Sequence, residues 1–257
     1  MDPINIVAVP ALLARGSVAG ADAPLLTYYD DATGERTELS ATALGGWAAR
    51  TAGLLSEGCG LGVGCRAAVL LPAHWQTAAV LLGAWSTGVA VSLHAAATAG
   101  LPALGPGVDE PLDATFVSAA RLDDWLENVP DAHHRFVLGL GPGGAELAQV
   151  PAGYRDYLAE VRRYPDSLPG AARLRRADSA TVDGTTFAEW GRLAQGLAAT
   201  QDLRPGDRLL VDAAEHEHPV KWLLAPLSAG ASVVLCANLD PAAVAARVAA
   251  ERVTRVL

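Results

Sequence analysis

Leu203–Leu235 reads LRPGDRLLVDAAEHEHPVKWLLAPLSAGASVVL, and it lies without a gap on Leu61–Leu93, LGVGCRAAVLLPAHWQTAAVLLGAWSTGVAVSL, 142 positions earlier. Gly64/Gly206, Arg66/Arg208, His74/His216, Ser86/Ser228, Gly88/Gly230 and six Leu or Val pairs are identical. Each block opens on a continuous apolar run, Arg66–Leu71 or 208–212, as expected of a strand covered on both faces. A helix-length apolar segment, a glycine and a second apolar run follow. Strand, helix and strand joined by short loops make a βαβ crossover with parallel strands.

Outward from the two blocks the signals are local. Leu25–Tyr29 and Arg36–Leu39 flank Asp30-Asp31-Ala32-Thr33-Gly34, whose turn chemistry predicts a β-hairpin. Ser40 stands where its hydroxyl can cap a helix running to about Glu57. Between the blocks, Ala114–Ser118 and Arg135–Leu140 read as strands, and Leu122–Asn128 and Tyr154–Tyr164 as helices. Residues 95–111 are rich in Ala, Gly and Pro and read as irregular. Thr186–Glu189 has the spacing of a capping box and predicts a helix leading into the second block. Asp240-Pro241 starts a last helix, to about Arg252, and Val253–Leu257 is a final strand.

These elements define an α/β fold of two related subdomains, each of mainly parallel sheet with packed helices. The first is expected over 1–150 and the second over 178–257. Residues 151–177, with Pro165, Pro169 and an arginine cluster, would connect them.

Charged residues make up 18% of the 257-residue chain and the net charge is -9, which argues against nucleic-acid or anionic-membrane surfaces. No Asp, Glu, Lys or Arg occurs from Ala67 to Val108, but Pro72, His74, Gln76 and Gly88 divide the run into strand- and helix-sized pieces, too short for a membrane span. The N-terminus lacks the basic start and apolar core of a signal peptide. Cys59, Cys65 and Cys236 show no CxxC spacing, which fits a reducing, cytoplasmic compartment.

Candidate chemistry is sparse. Glu215-His216-Glu217-His218 is the most polar cluster beside a buried strand, and His74 holds the equivalent place in the first block. Imidazole and carboxylate can ligate metal. Here, though, a solvated loop or a small-molecule pocket at the strand ends explains His74, Glu215, His216 and His218 better, and no metal is expected. No G-x-S-x-G elbow is present, and no catalytic residue is assigned.

With these residues in view, the chain resembles the N-terminal part of the adenylate-forming (AMP-binding) superfamily, which includes acyl-CoA synthetases. That family places a hairpin and long helix before a G-V-x-x-G-D-R-V strand, a P-N-S helix and a G-A-V-x-V-P-L strand. It repeats the plan as L-x-P-G-D-R, a His-containing loop and P-L-x-x-G-A-x-V-V-L. Leu61–Leu71, Pro72, Gly88–Leu93, Leu203–Arg208, His216, Pro226–Leu235 and Asp240–Thr254 fall in that order. The chain is also similar to an uncharacterised bacterial family of about this length.

The departures matter for function. The superfamily's phosphate loop, T-S-G-T-T-G-x-P-K-G, is reduced here to Gly184, Thr185 and Thr186. Its second glycine, proline and lysine are missing, and Asp183 would repel a phosphate. The adenine-binding segments and the domain with the catalytic lysine lie beyond Leu257, and Lys221, the sole lysine, sits at the helix position matching Ala79. The resemblance therefore implies a truncated relative that does not adenylate, needs no cofactor, and is retained for binding or assembly as a homo-oligomer or with a protein partner. The alternative is a binder of an acyl, nucleotide or CoA-like ligand, or an enzyme, using the cleft between the repeats.

Overall fold

The computed structural model describes residues 9–16, 20, 22–95, 112–124, 128–169 and 174–257. The irregular stretch expected over 95–111 falls almost wholly outside them. In chain order the elements are α1 (Val9–Gly16), β1 (Pro24–Asp30), β2 (Glu35–Ser40), α2 (Ala41–Gly53), β3 (Arg66–Leu70), α3 (Trp75–Thr87), β4 (Ala90–Leu93), β5 (Leu112–Ser118), α4 (Ala119–Leu122), β6 (Ala132–Leu138), β7 (Arg155–Asp156) and α5 (Tyr157–Val161). Then come α6 (Phe187–Thr200), β8 (Arg208–Asp212), α7 (Ala225–Ala229, entered through a π-turn over Val220–Leu224), β9 (Ser232–Ala237), α8 (Val244–Ala250) and β10 (Arg255–Val256).

Both quoted blocks form parallel βαβ units in the same register, Arg66 opposite Ala90 and Arg208 opposite Ser232. They seed two five-stranded sheets, ordered β4-β3-β5-β6-β7 and β10-β8-β9-β1-β2. Within each, every described pairing is parallel except the β1–β2 hairpin.

The hairpin accounts for a difference from the contiguous division expected from the sequence. Parallel to β9, Tyr28 lies opposite Leu235 and Thr27 opposite Val234, so the first strand completes the sheet of the last. The compact units are accordingly Met1–Gly45 with Ala73–Ala78 and Ala188–Leu257, and Gly46–Pro72 with Ala79–Phe187. Residues 151–169 are not a free connector, because β7 pairs with β6 and the side chains of Tyr157, Leu158 and Val161 are buried.

The second of these units is built on close helix packing. Gly83 of α3 faces α2 so tightly that an added Cβ would stand 2.5 Å from the Thr51 Cβ and 2.8 Å from the Ala48 carbonyl oxygen. The Thr51 hydroxyl is fully buried, donates to the Trp47 carbonyl at 2.9 Å, and shares a 2.7 Å hydrogen bond with Tyr157. A buried hydroxyl with two such partners carries no desolvation debt.

Sheet edges are blunted in each unit. The edge strand β2 carries three charged residues, Glu35, Arg36 and Glu38, and β7 and β10 are two residues long. Along β4, the Val91 N–H donates to the Ala180 carbonyl at 3.0 Å and the Val182 N–H to the Val91 carbonyl at 3.1 Å, so the chain itself covers that edge. Short, charged or covered edges resist strand-to-strand association. No described helix is long and apolar enough to cross a membrane.

The repeated arginine of the second block is a structural hub. Arg208 donates to the Pro24 carbonyl at 3.2 Å, to Thr27 Oγ1 at 2.8 Å and to Glu251 at 2.5 Å. Glu251, directly after α8, also accepts from Tyr29 at 2.5 Å and Arg36 at 2.8 Å. Burial pushes the Glu251 carboxyl up, but these donors outweigh it and hold the group down at about 2. A depressed carboxylate stabilises the fold above its unfolded range near pH 4.5 and loses that contribution as pH falls toward 2. We predict that Glu251→Gln lowers stability by about 3 kcal/mol at pH 7 in urea melts. The deficit should shrink at pH 3; one that stays constant from pH 7 to pH 3 would contradict the assignment.

Candidate functional site

The polar residues singled out by the sequence lie in two places. His74 and the Glu215–His218 segment border the sheet that contains β8, β9 and β1, whereas Gly184–Thr186 form a turn against β4.

His74 is 1% exposed and caps α3. Its carbonyl accepts the Ala78 N–H at 3.1 Å, and its Nδ1 accepts the Gln76 N–H at 3.1 Å. A helix leaves its first N–H groups without intrahelical partners, and a side-chain acceptor at the cap satisfies one of them. Accepting at Nδ1 places the ring proton on Nε2. The ring meets Tyr28 edge-on, with centroids 4.3 Å apart. Burial pushes the imidazole down to about 3, against a smaller upward pull from Asp30, so the ring is neutral.

The gapless register pairs His74 with His216, but the residue that does the same work in the second block is His218. The Lys221 N–H donates to the His218 carbonyl at 2.9 Å, and the Val220 N–H reaches His218 Nδ1 at 3.4 Å. The loop after β8 is longer than that after β3, and Pro219 begins the helix after it. Histidine followed by proline at the first helical position was the signal for this cap. His218 stacks on Trp190 of α6, with centroids 5.4 Å apart and planes 6° from parallel. His216 instead stays in the loop, its N–H bonded to the Asp212 carbonyl at 3.1 Å. Glu215 is exposed. The structure thus puts His216 and His218 on one loop and His74 on another element, against Tyr28. Among the described residues, no group of three or more His, Cys, Asp or Glu could hold a metal ion.

Two buried histidine nitrogens have no hydrogen-bond partner among the described residues, His74 Nε2 and His216 Nδ1; both amide atoms of Gln76 share that state. An unpaired polar atom inside a protein costs about 1–3 kcal/mol. His74 Nε2 and Gln76 lie beside the carboxyl half of β1, and His216 just beyond the carboxyl end of β8. Open α/β sheets bind ligands at such strand ends.

The 181–186 turn has the opposite character. Its backbone donors are spent inside the protein. The Ala180 N–H goes to the Thr185 carbonyl at 2.8 Å, that of Val182 to Val91 at 3.1 Å, that of Gly184 to Thr181 at 3.0 Å, and that of Phe187 to Asp178 at 3.1 Å. The Thr185 N–H donates to Asp183 Oδ1 at 3.0 Å, and the Thr181 hydroxyl donates to the same oxygen at 2.6 Å. Thr181 and then Thr185 hold the Asp183 carboxyl below its ordinary range. Gly184 adopts φ 89°, which the turn requires and a side chain resists. A phosphate loop works by aiming free N–H groups at an anion; here backbone carbonyls and, for Thr185, the Asp183 carboxylate already accept them.

The sequence reading also missed a cluster in the other sheet. Arg155 on β7 donates to His134 Nδ1 at 3.1 Å and reaches Cys59 Sγ at 3.7 Å, while its guanidinium lies 4.5 Å over the Phe136 ring. Burial pushes the Cys59 thiol up despite that cation, the reverse of what a nucleophile needs.

The His74 cap gives a direct check. Depressed from an unfolded value near 6.5, His74 favours folding fully above that pH and withdraws up to about 1.4 kcal/mol per pH unit below it. Its ring carbon resonances are predicted to show no titration between pH 4 and 8. His74→Ala should cost about 2–3 kcal/mol, combining a lost cap with a cavity, and His74→Asn less. A ring titrating near pH 6.5 would contradict the buried cap.

Comparison with known proteins places the fold and the chain. No family model matches it. A Brucella canis acyl-CoA synthetase superposes with a TM-score of 0.69 at 18% identity, covering 98% of this chain and 47% of the other. The N-terminal domain of FACL13 from Mycobacterium tuberculosis matches with a TM-score of 0.66 at 17% identity, over 96% of this chain and 62% of that one. The fold is therefore that of the N-terminal part of adenylate-forming enzymes, and the chain spans about half the length of synthetase structures it matches, 42–49%. A protein of Mycobacterium tuberculosis (strain ATCC 25618 / H37Rv) described as a TIGR03089 family protein is 39% identical over 244 residues, 91% of each chain. At that identity and coverage, the chain belongs to the TIGR03089 family.

Proposed function

We propose that this chain keeps the N-terminal scaffold of the adenylate-forming fold without its adenylation chemistry, and that it serves in binding or assembly. The observation that carries this reading is the turn over residues 181–186. Its donors are committed to carbonyls and to Asp183, so a nucleotide phosphate would have to displace a carboxylate of the chain and would meet its charge. Assembly is with a second copy or a protein partner, through a surface other than the blunted sheet edges. The three cysteines are free thiols, which accords with a reducing, cytoplasmic setting.

A second reading is favoured by the buried, unpaired nitrogens of His74 and His216. A small ligand carrying polar groups, acyl or CoA-like, could satisfy them at the strand ends, with His218 and Glu215 nearby on the loop.

A thermal-shift screen separates the two. A ligand at a hundred times its Kd stabilises by about 2.7 kcal/mol, a shift of several degrees in a chain of this size. The first reading predicts a Tm unmoved by millimolar ATP, AMP, CoA or acyl adenylate, with a mass above the monomer's in size-exclusion with light scattering. A concentration-dependent rise with ATP would contradict it, and a rise with CoA or acyl compounds alone would favour the second.

A further inference from the structure

The two histidine caps differ in one respect that matters chemically. His74 is sealed in the interior, whereas His218 is exposed at its outer edge while its face lies on the buried Trp190 indole. We propose that His218 is a proton-operated latch: with the ring neutral it caps the helix beginning at Pro219, and protonation releases that first turn together with the loop from Ala213.

The geometry makes cap and proton mutually exclusive. Nδ1 accepts the Val220 N–H, so the neutral ring carries its single proton on Nε2. A second proton can enter only at Nδ1, where it would turn an acceptor into a donor facing a donor. The resulting cation would sit at the positive end of the helix dipole. Lys221, on the same helix, is the charge that acts on the ring; from α6 the group facing it is the uncharged Trp190 indole. Burial first and Lys221 second hold the ring below its ordinary range. The open form, free of both, takes the proton near pH 6.5. Opening is then increasingly favoured below that value, by up to about tenfold per pH unit, until the capped ring itself titrates.

Three hydrogen bonds report the latch: Val220 N–H to His218 Nδ1, Lys221 N–H to the His218 carbonyl, and the Trp222 indole N–H to the Glu217 carbonyl at 3.0 Å. Amide and indole hydrogen exchange on the full chain, corrected for intrinsic rates, reads the opening equilibrium even when the open form is rare. In the unmodified chain, protection at these three positions should fall by about fivefold from pH 6.5 to 5.5, while the strand amides of β8 and β9 hold. His218→Asn retains a capping acceptor that does not titrate, so its protection should be flat over the same range. His218→Ala should be weakly protected at both pH values. Flat protection in the unmodified chain would overturn the latch, and so would an equal fall in His218→Asn.

Discussion

The structure depends on a pairing between the two ends of the chain. β1 runs parallel to β9, Leu26 opposite Val233 through Asp30 opposite Ala237, so one sheet cannot form until residues some two hundred positions apart have met. Bringing distant segments together costs loop entropy before any contact rewards it. The reward is concentrated at the same junction. Arg208 ties β8 to the carbonyl and hydroxyl of β1, and Glu251 draws in Tyr29 and Arg36 from the hairpin. On the same side, Asp31 is held below its ordinary range by Arg247, whose guanidinium lies 4.2 Å over the Tyr29 ring. These charges are mostly buried and mutually satisfied, the condition under which an ion network supports a fold.

Much of this was legible in the sequence, because the controlling signals are short-range. The hairpin, the two βαβ blocks and the helix after Asp240 all lie within two or three residues of where turn chemistry and apolar periodicity put them. Ser40 caps α2 as read, its Oγ accepting the Ala43 N–H at 3.2 Å. What could not be read was which sheet the hairpin joins. Its strands carry the same pattern whether they pair with β4 or with β9, so the boundary drawn near residue 150 followed chain order and missed the partner.

The site shows the same division. The departure of Thr181–Thr186 from the superfamily's phosphate-loop pattern was visible in the sequence, where Asp183 stood out by its charge. Its actual role, accepting the Thr185 N–H and the Thr181 hydroxyl, depends on the left-handed turn at Gly184 and was not readable. With the histidines the gapless alignment misled. Identity of letters paired His74 with His216, whereas the helix start pairs His74 with His218, because capping depends on distance to the first turn and not on distance from the preceding strand.

On the proposed function, Asp183 occupies the 181–186 turn in place of an external anion. Backbone amide chemical shifts of residues 180–187, followed during a titration with magnesium ATP, test it most directly. The account predicts no saturable movement at Gly184 or Thr185 up to millimolar nucleotide. Saturable shifts centred on those two amides, lost in competition with pyrophosphate, would contradict it.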